Sequence, residues 1–191
     1  MDEGTGLRGG RHLFVGSKAS WHTIADALEQ HEAYPLGPGI HSDLSAYESA
    51  VLDDPKPGIL RGSCLCGRVE YEVKEPFSVI HNCHCSRCRR ARGAAHATNG
   101  FVDLDAFRFV KGEELVRYFK LPEAKSFGQA FCSLCGSAVP RRNLKARIVN
   151  VPLGPLDDMT EAKPRDHIFV GSKADWYSIE DDIVQIEAGP K

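Results

Sequence analysis

Long apolar runs, an excess of charge of one sign and a signal-like start are all missing from this sequence of 191 residues. No apolar stretch approaches the roughly 18 residues that a membrane-spanning helix needs, so we expect no membrane partner. The first ten residues are polar and lack the apolar core of a secretory signal. Lysine plus arginine (24) nearly balance aspartate plus glutamate (26), whereas a dedicated nucleic-acid-binding protein is usually basic. These absences predict a globular cytoplasmic protein that binds neither membranes nor nucleic acid.

Cysteine is the residue type that carries most information in the sequence. The seven cysteines fall into three tight groups, namely Cys64 and Cys66, then Cys83, Cys85 and Cys88, and finally Cys132 and Cys135. An odd number cannot all pair, and cysteines two or three positions apart rarely reach the geometry of a low-strain disulfide. Such spacings suit several thiolates that converge on one metal ion, especially in an intracellular chain.

The three groups predict two metal sites, one with four sulfur ligands and one with three. The two outer pairs can form a closed tetrahedral site of the structural zinc type, and the central group leaves one coordination position open, as catalytic zinc sites do. Zinc suits these ligands better than copper, while iron stays an alternative. Two other interpretations stay open: His81 or His84 completes a second structural site, or the C-x-x-C is a redox pair.

The two ends of the chain carry copies of one segment. Residues 12–30 (HLFVGSKASWHTIADALEQ) and 167–185 (HIFVGSKADWYSIEDDIVQ) are identical at 11 of 19 positions, and each copy contains one of the two tryptophans. An apolar run typical of a strand opens each copy, and a Gly-Ser-Lys turn follows it. Ser20 and Asp175 then stand where a helix N-cap would, so each copy predicts a strand, a turn and a short helix.

Composition and the repeat divide the chain into three parts. Residues 1–31 form an N-terminal extension with the first copy, 32–60 form a linker rich in proline and glycine, and 61–191 form the cysteine-bearing domain, which ends with the second copy at 166–186. Within that domain, apolar patterning predicts strands at 68–73, 77–82, 94–98, 107–110, 115–119, 126–131 and 147–151. We therefore expect a mainly β domain with short peripheral helices, in which the first two of these strands form a hairpin.

Three motifs carry a resemblance to a known family. In chain order they are G-S-C-L-C-G-x-V-x-Y, H-N-C-H-C-S-x-C-R-R and F-C-S-x-C-G-S, and with the C-terminal copy the likeness spans about residues 60–185. This pattern resembles the glutathione-dependent formaldehyde-activating enzyme family, which includes the centromere protein V-like proteins. The resemblance implies an Mss4-like zinc-binding β scaffold. It also implies that Cys64, Cys66, Cys132 and Cys135 bind a structural zinc ion, and that Cys83, Cys85 and Cys88 hold a catalytic one.

The same resemblance implies a function. It predicts a carbon–sulfur lyase with two zinc ions per chain that joins formaldehyde to a small thiol such as glutathione, giving S-hydroxymethylglutathione, or carries out a related reaction. His81, His84 and His96 are candidate proton shuttles. Basic residues that could bind the carboxylates of the thiol, or offset the charge of the thiolates, are Arg87, Arg89, Arg90, Arg92, Arg141, Arg142, Lys145 and Arg147. The alternative is a non-catalytic zinc-binding module that mediates protein interaction, and the spare tail copy is compatible with a homodimer.

Overall fold

The computed structural model describes residues 9–33 and 56–189, together with Gly6 and Pro35. Most of the predicted linker, residues 36–55, lies outside the described residues, and the division of the chain into three parts stays a prediction. The described residues form fourteen β-strands, one seven-residue α-helix and single turns of 3-10 helix. The prediction of a mainly β fold with short peripheral helices is therefore confirmed. In the described ranges, no helix has the length and apolar character needed to cross a membrane.

The strands build four sheets. In chain order they are β1 (Arg11–Leu13), β2 (Glu29–His31), β3 (Ile59–Ser63), β4 (Glu70–Lys74), β5 (Val79–Cys83), β6 (Ala97–Asp103), β7 (Phe107–Lys111), β8 (Val116–Lys120), β9 (Gly128–Cys132), β10 (Ala138–Val139), β11 (Arg141–Asn143), β12 (Ile148–Pro152), β13 (Asp166–Ile168) and β14 (Val184–Ile186). The helix α1 (Ser86–Arg92) follows β5. The sheet orders are β1-β2, β3-β4-β7, β10-β9-β8 and β11-β12-β6-β5-β13-β14. The six-stranded sheet is the centre of the molecule.

Two small hydrophobic cores hold these sheets together. The first joins the β3-β4-β7 sheet to the six-stranded sheet and consists of Leu60, Tyr71, Val73, Val102, Phe107, Val149 and Val151. The second consists of Cys64, Val69, Val116, Ala130, Cys132 and Val139. In β3 and β4 the buried residues alternate with more exposed ones, because successive side chains of a strand point to opposite faces. The second core thus contains two of the seven cysteines among its apolar side chains.

The hairpin predicted for residues 68–73 and 77–82 is wrong, although strands form at both places. β4 pairs with β3 on one side and β7 on the other, whereas β5 lies between β6 and β13 in the central sheet. Four of the five β5 residues are buried, as is typical of an interior strand that is covered on both faces, whereas β4 alternates. Since both edges of β4 are already paired, β5 joins a different sheet.

The repeated segments adopt the same backbone structure. β1 pairs in parallel with β2, and β13 pairs in parallel with β14 in the equivalent register. Directly after the first strand of each copy, Phe14 and Phe169 have left-handed backbone angles, with φ of 58° and 59°. The copies differ in their outer neighbours, because β13 also pairs with β5, whereas β1 has β2 as its one strand partner within the described ranges.

The short helix predicted in each copy does not form. Instead, Asp26 Oδ1 accepts a hydrogen bond from the amide of Leu28 at 2.9 Å, and Asp181 Oδ1 accepts one from the amide of Ile183 at 3.0 Å. Each carboxylate also bonds the histidine in the first strand of its own copy. A carboxylate that binds an amide two residues ahead stabilises a turn in competition with a helix. The chain therefore turns back and forms the second parallel strand.

The two copies lie close enough for their charges to interact, in a reciprocal way. Burial lowers the pKa of His22, and the carboxylate of Asp181, from the other copy, acts in the opposite direction. Burial raises the pKa of Tyr177, and acidic groups that include Asp26 of the first copy add to the increase. Tyr177 is the counterpart of His22, and Asp181 is the counterpart of Asp26. The same two positions therefore influence each other in both directions, as an approximate two-fold relation between the copies would require.

The repeat provides a matched pair of substitutions. His167 Nε2 bonds Asp181 at 3.0 Å and is 1% exposed, whereas His12 Nε2 bonds Asp26 at 2.9 Å and is 28% exposed. We expect Asp181→Ala to lower the free energy of unfolding by about 1–3 kcal/mol, because a buried ring nitrogen loses its partner. Asp26→Ala should cost clearly less, because water reaches His12. Urea titrations of both variants measure the difference, and equal losses would contradict this prediction.

Candidate metal centres

Four cysteines from two distant segments meet at one point. The sulfur atoms of Cys64, Cys66, Cys132 and Cys135 all lie within 4.8 Å of one another. The Sγ atoms of Cys64 and Cys66 are 3.5 Å apart, and those of Cys66 and Cys132 are 3.9 Å apart. Four sulfurs placed tetrahedrally at about 2.3 Å from a zinc ion would be about 3.8 Å apart. The dimensions and the donor set of this cluster therefore fit zinc.

Two similar turns shape the four-cysteine cluster. Gly67 and Gly136 each follow the second cysteine of a pair and have φ of 65° and 74°, a conformation that glycine adopts without strain. Burial works to raise the pKa of Cys135, but hydrogen bonds from Ser137 and Cys66 outweigh it and lower the pKa to about 6. The second turn thus favours the thiolate form of Cys135, whereas for Cys66 a backbone hydrogen bond is outweighed by burial and by contacts with the other three cysteines, which raise the pKa to about 11.

Two members of the four-cysteine cluster are buried in a core, whereas Cys66 is exposed and Cys135 is half-buried. Cys64 is 2% exposed and Cys132 is 0% exposed, and both pack in the second hydrophobic core. The amide of Val69 donates a hydrogen bond to Cys64 Sγ at 3.2 Å. Cys64 directly follows β3, and Cys132 ends β9. A metal ion bound here would therefore tie two sheets together and act on stability.

The central three cysteines form a separate cluster at the junction of β5 and α1. The sulfur atoms of Cys83, Cys85 and Cys88 lie within 4.8 Å of one another, and no histidine or carboxylate in the described ranges joins either cluster. Cys83 is the last residue of β5. Cys85 caps the N-terminus of α1, where its sulfur accepts a hydrogen bond from the amide of Cys88 at 3.4 Å. The first turn of the helix thus brings the last two sulfurs together.

The three thiols of this cluster compete for negative charge. Hydrogen bonds from Cys83 and Cys88 lower the pKa of Cys85 to about 2. Hydrogen bonds with Cys83 and Cys85, together with burial, raise the pKa of Cys88. The hydrogen bond with Cys85 raises the pKa of Cys83 to about 11. A divalent cation would stabilise the thiolate form of all three. Three crowded sulfurs fit a zinc site with three protein ligands.

A cavity of about 140 Å³ lies beside the three-cysteine cluster. Cys83 and Cys88 form part of its wall, whereas none of the other five cysteines does. The remaining wall residues are His81, Ala91, Arg92, Ala97, Asn99, Phe101, Ser126, Phe127, Gly128, Gln129, Arg141, Asn150 and Ile168. Of the eight basic residues singled out in the sequence, the structure thus places Arg92 and Arg141 on the wall. The cavity therefore adjoins two of the three cysteines of this cluster.

The candidate proton shuttles have fixed hydrogen-bond partners or lowered pKa values. His81 Nδ1 bonds the buried carboxylate of Asp166. His84 Nε2 bonds His167 Nδ1 at 2.8 Å. Burial lowers the pKa of His84 to about 3 and that of His96 to about 4, so both rings are neutral at neutral pH. Of the three candidates, His81 is the one that lines the cavity.

Comparisons with known proteins point to one family. A family model described as glutathione-dependent formaldehyde-activating enzyme matches residues 59–172. A Halomonas elongata protein whose name proposes this activity is 33% identical over 132 residues, which cover 64% of this chain and 82% of that protein. A crystal structure of a Rhodobacter sphaeroides protein is 28% identical, with a TM-score of 0.44, and covers 53% of this chain and 91% of that one. The residues that the family model matches include all seven cysteines.

Proposed function

The chain belongs to the glutathione-dependent formaldehyde-activating enzyme family, and from this premise we propose that it is a zinc-dependent carbon–sulfur lyase that acts on a thiol. The proposed reaction joins glutathione and formaldehyde, or a related pair, into an S-hydroxymethyl adduct. One observation carries the proposal: Cys83 and Cys88 of the three-cysteine cluster line a cavity, whereas no cysteine of the other cluster does, and two of those four are buried in a core. The position of the first cluster supports a role in chemistry, and the position of the second supports a role in folding.

Each cluster has its own role in this proposal. Cys83, Cys85 and Cys88 hold a catalytic zinc ion, and the other four cysteines hold a structural one, which gives two ions per chain. A zinc ion bound at the three-cysteine cluster supplies positive charge that favours the thiolate form of an entering thiol. The residues of the cavity wall provide selectivity and orientation, because their shape and charge determine which thiol binds and where its sulfur lies.

The proposed reaction is an addition and needs no further reactant. The thiol sulfur forms a bond to the aldehyde carbon, the second carbon–oxygen bond of the aldehyde breaks, and the thiol proton ends on the new hydroxyl group. The reverse direction breaks the carbon–sulfur bond. Apolar wall residues such as Phe101, Phe127 and Ile168 limit the water around the reacting atoms.

The size of the cavity limits how much of the substrate it can enclose. Pockets that enclose a drug-sized ligand measure roughly 300–1,000 Å³, and this one measures about 140 Å³. It therefore admits the thiol arm of glutathione, while the rest of the tripeptide stays outside. Smaller thiols fit entirely.

The test is the exchange of formaldehyde between its hydrate and S-hydroxymethylglutathione. We expect the zinc-loaded protein to accelerate this exchange above the spontaneous rate, because it holds the thiolate and the aldehyde together. Exchange NMR with ¹³C-labelled formaldehyde measures the rate, and protein stripped of metal and then reloaded with zinc is the control. A spontaneous rate from protein that holds both zinc ions would contradict catalysis. That result would favour the alternative, a zinc module that mediates protein interaction.

A further inference from the structure

The charged side chains of the cavity wall are all positive. Arg92, at the C-terminal end of α1, and Arg141, at the start of β11, both line the cavity, and no aspartate or glutamate does. These two segments are far apart in sequence, so the fold itself brings the two arginines to one cavity. Such a wall favours an anionic ligand over a neutral or cationic one.

Neither Arg92 nor Arg141 forms an ion pair with an aspartate or glutamate within the described residues. Arg141 Nε is buried and has no hydrogen-bond partner. Burial lowers the pKa of Arg141, and it lowers that of Arg92 against an opposing effect of the nearby Cys88. In contrast, Arg142 pairs with Glu113, and Arg147 pairs with Asp105 at 2.6 Å. The two cavity arginines thus bear the cost of partial burial with no carboxylate partner, a cost that an anionic ligand would offset.

We propose that Arg92 and Arg141 bind a carboxylate of the thiol substrate, so that the cavity selects thiols that carry an acid group close to the sulfur. This inference rests on the proposed function and specifies the substrate class of the same site: it favours a small acidic thiol over glutathione, whose carboxylates lie too far from its sulfur to share this cavity. The cavity adjoins Cys83 and Cys88, and its small volume keeps the carboxylate near the sulfur. A carboxylate held by arginine is both fixed and oriented, because the guanidinium donates two parallel hydrogen bonds.

A different role for the two arginines predicts a different result. If they only offset the negative charge of the three thiolates, their loss weakens metal binding and affects every thiol alike. If they bind the substrate carboxylate, their loss affects thiols that carry a carboxylate and leaves the zinc content unchanged. The decisive quantity is therefore the ratio of the affinities for an acidic and a neutral thiol.

The experiment compares two small thiols of similar size. Mercaptoacetate carries a carboxylate, and 2-mercaptoethanol carries a hydroxyl group in its place. Isothermal titration calorimetry of the full-length, zinc-loaded protein measures both dissociation constants without any need for turnover. We expect a preference for mercaptoacetate of roughly 10-fold or more, since hydrogen bonds to charged groups contribute to that extent. Arg141→Gln and Arg92→Gln should each remove most of this preference while two zinc ions stay bound, as counted by native mass spectrometry.

Two control substitutions remove the same charge away from the cavity. Arg90→Gln alters an exposed position of α1, and Arg142→Gln alters the neighbour of Arg141; both should keep the preference. Equal affinity of the wild type for the two thiols would overturn the carboxylate site and leave the proposed function intact. A preference that survives in both cavity variants, or loss of zinc from them, would also overturn it. A protein that binds neither thiol would contradict the proposed function itself.

Discussion

Cys132→Ala is expected to prevent the protein from folding. The Cys132 side chain is fully buried in the second hydrophobic core, and its sulfur belongs to the four-cysteine cluster. A structural zinc ion contributes about 10–16 kcal/mol of apparent binding free energy to small zinc domains. Whole proteins are stable by only about 5–15 kcal/mol. Loss of one ligand from the four therefore removes stabilisation of the same order as the total.

Val139→Ala is the matched control for this prediction. Val139 lies in the same core and is equally buried, but it is not a metal ligand. Its truncation should cost about 2 kcal/mol, from lost burial and a small cavity. Circular dichroism and urea titration report folding, and native mass spectrometry reports bound zinc. A Cys132→Ala protein that folds and loses no more stability than Val139→Ala would show that this cluster does not hold the fold together.

Cys85→Ala should have the opposite profile, with the fold kept and the activity lost. Cys85 is half-buried at the N-cap of α1 and lies outside both hydrophobic cores. Removing the cap costs about 1 kcal/mol, which a folded domain tolerates. The three-cysteine cluster, however, is left with two sulfurs. We expect one zinc ion per chain instead of two, no measurable thiol binding, and formaldehyde exchange at the spontaneous rate.

Ser86→Ala is the control for Cys85→Ala, because it changes the adjacent exposed residue and leaves all three sulfurs in place. This variant should retain both zinc ions and full exchange activity. The comparison with Cys132→Ala then tests the division of labour between the clusters. If Cys85→Ala and Cys132→Ala unfold at the same urea concentration, the assignment of one structural and one catalytic site is wrong.

The candidate site could be predicted from the sequence to the extent that local spacing determines it. Cysteines two or three positions apart within tight turns bring their sulfurs together whatever the rest of the fold does, and the structure assembles the same groups of four and three. The strands β4 to β9 and β12 also begin within three residues of their predicted positions, because alternation of apolar residues is a local signal. The roles of the seven cysteines, the cytoplasmic location and the homodimer stay predictions.

Features that depend on distant pairing could not be predicted. The sequence does not show that β5 pairs with β6 and β13 in place of β4. For the same reason, polar residues of the cavity wall were missed: Asn99 lies on β6, Gln129 on β9 and Asn150 on β12. No motif links these positions, and eight clustered basic residues gave no sign of which two would face the cavity. Only the folded sheet selects them.

The repeated segments have a consequence for assembly. Two copies of one segment whose charges act on each other reciprocally form a self-complementary arrangement, of the kind that identical subunits form across a two-fold axis. Here one polypeptide supplies both halves, so their encounter is governed by an effective concentration on the order of millimolar. Dilution separates two chains of a dimer, but it cannot separate two segments of one chain. The arrangement of the two copies is therefore independent of protein concentration.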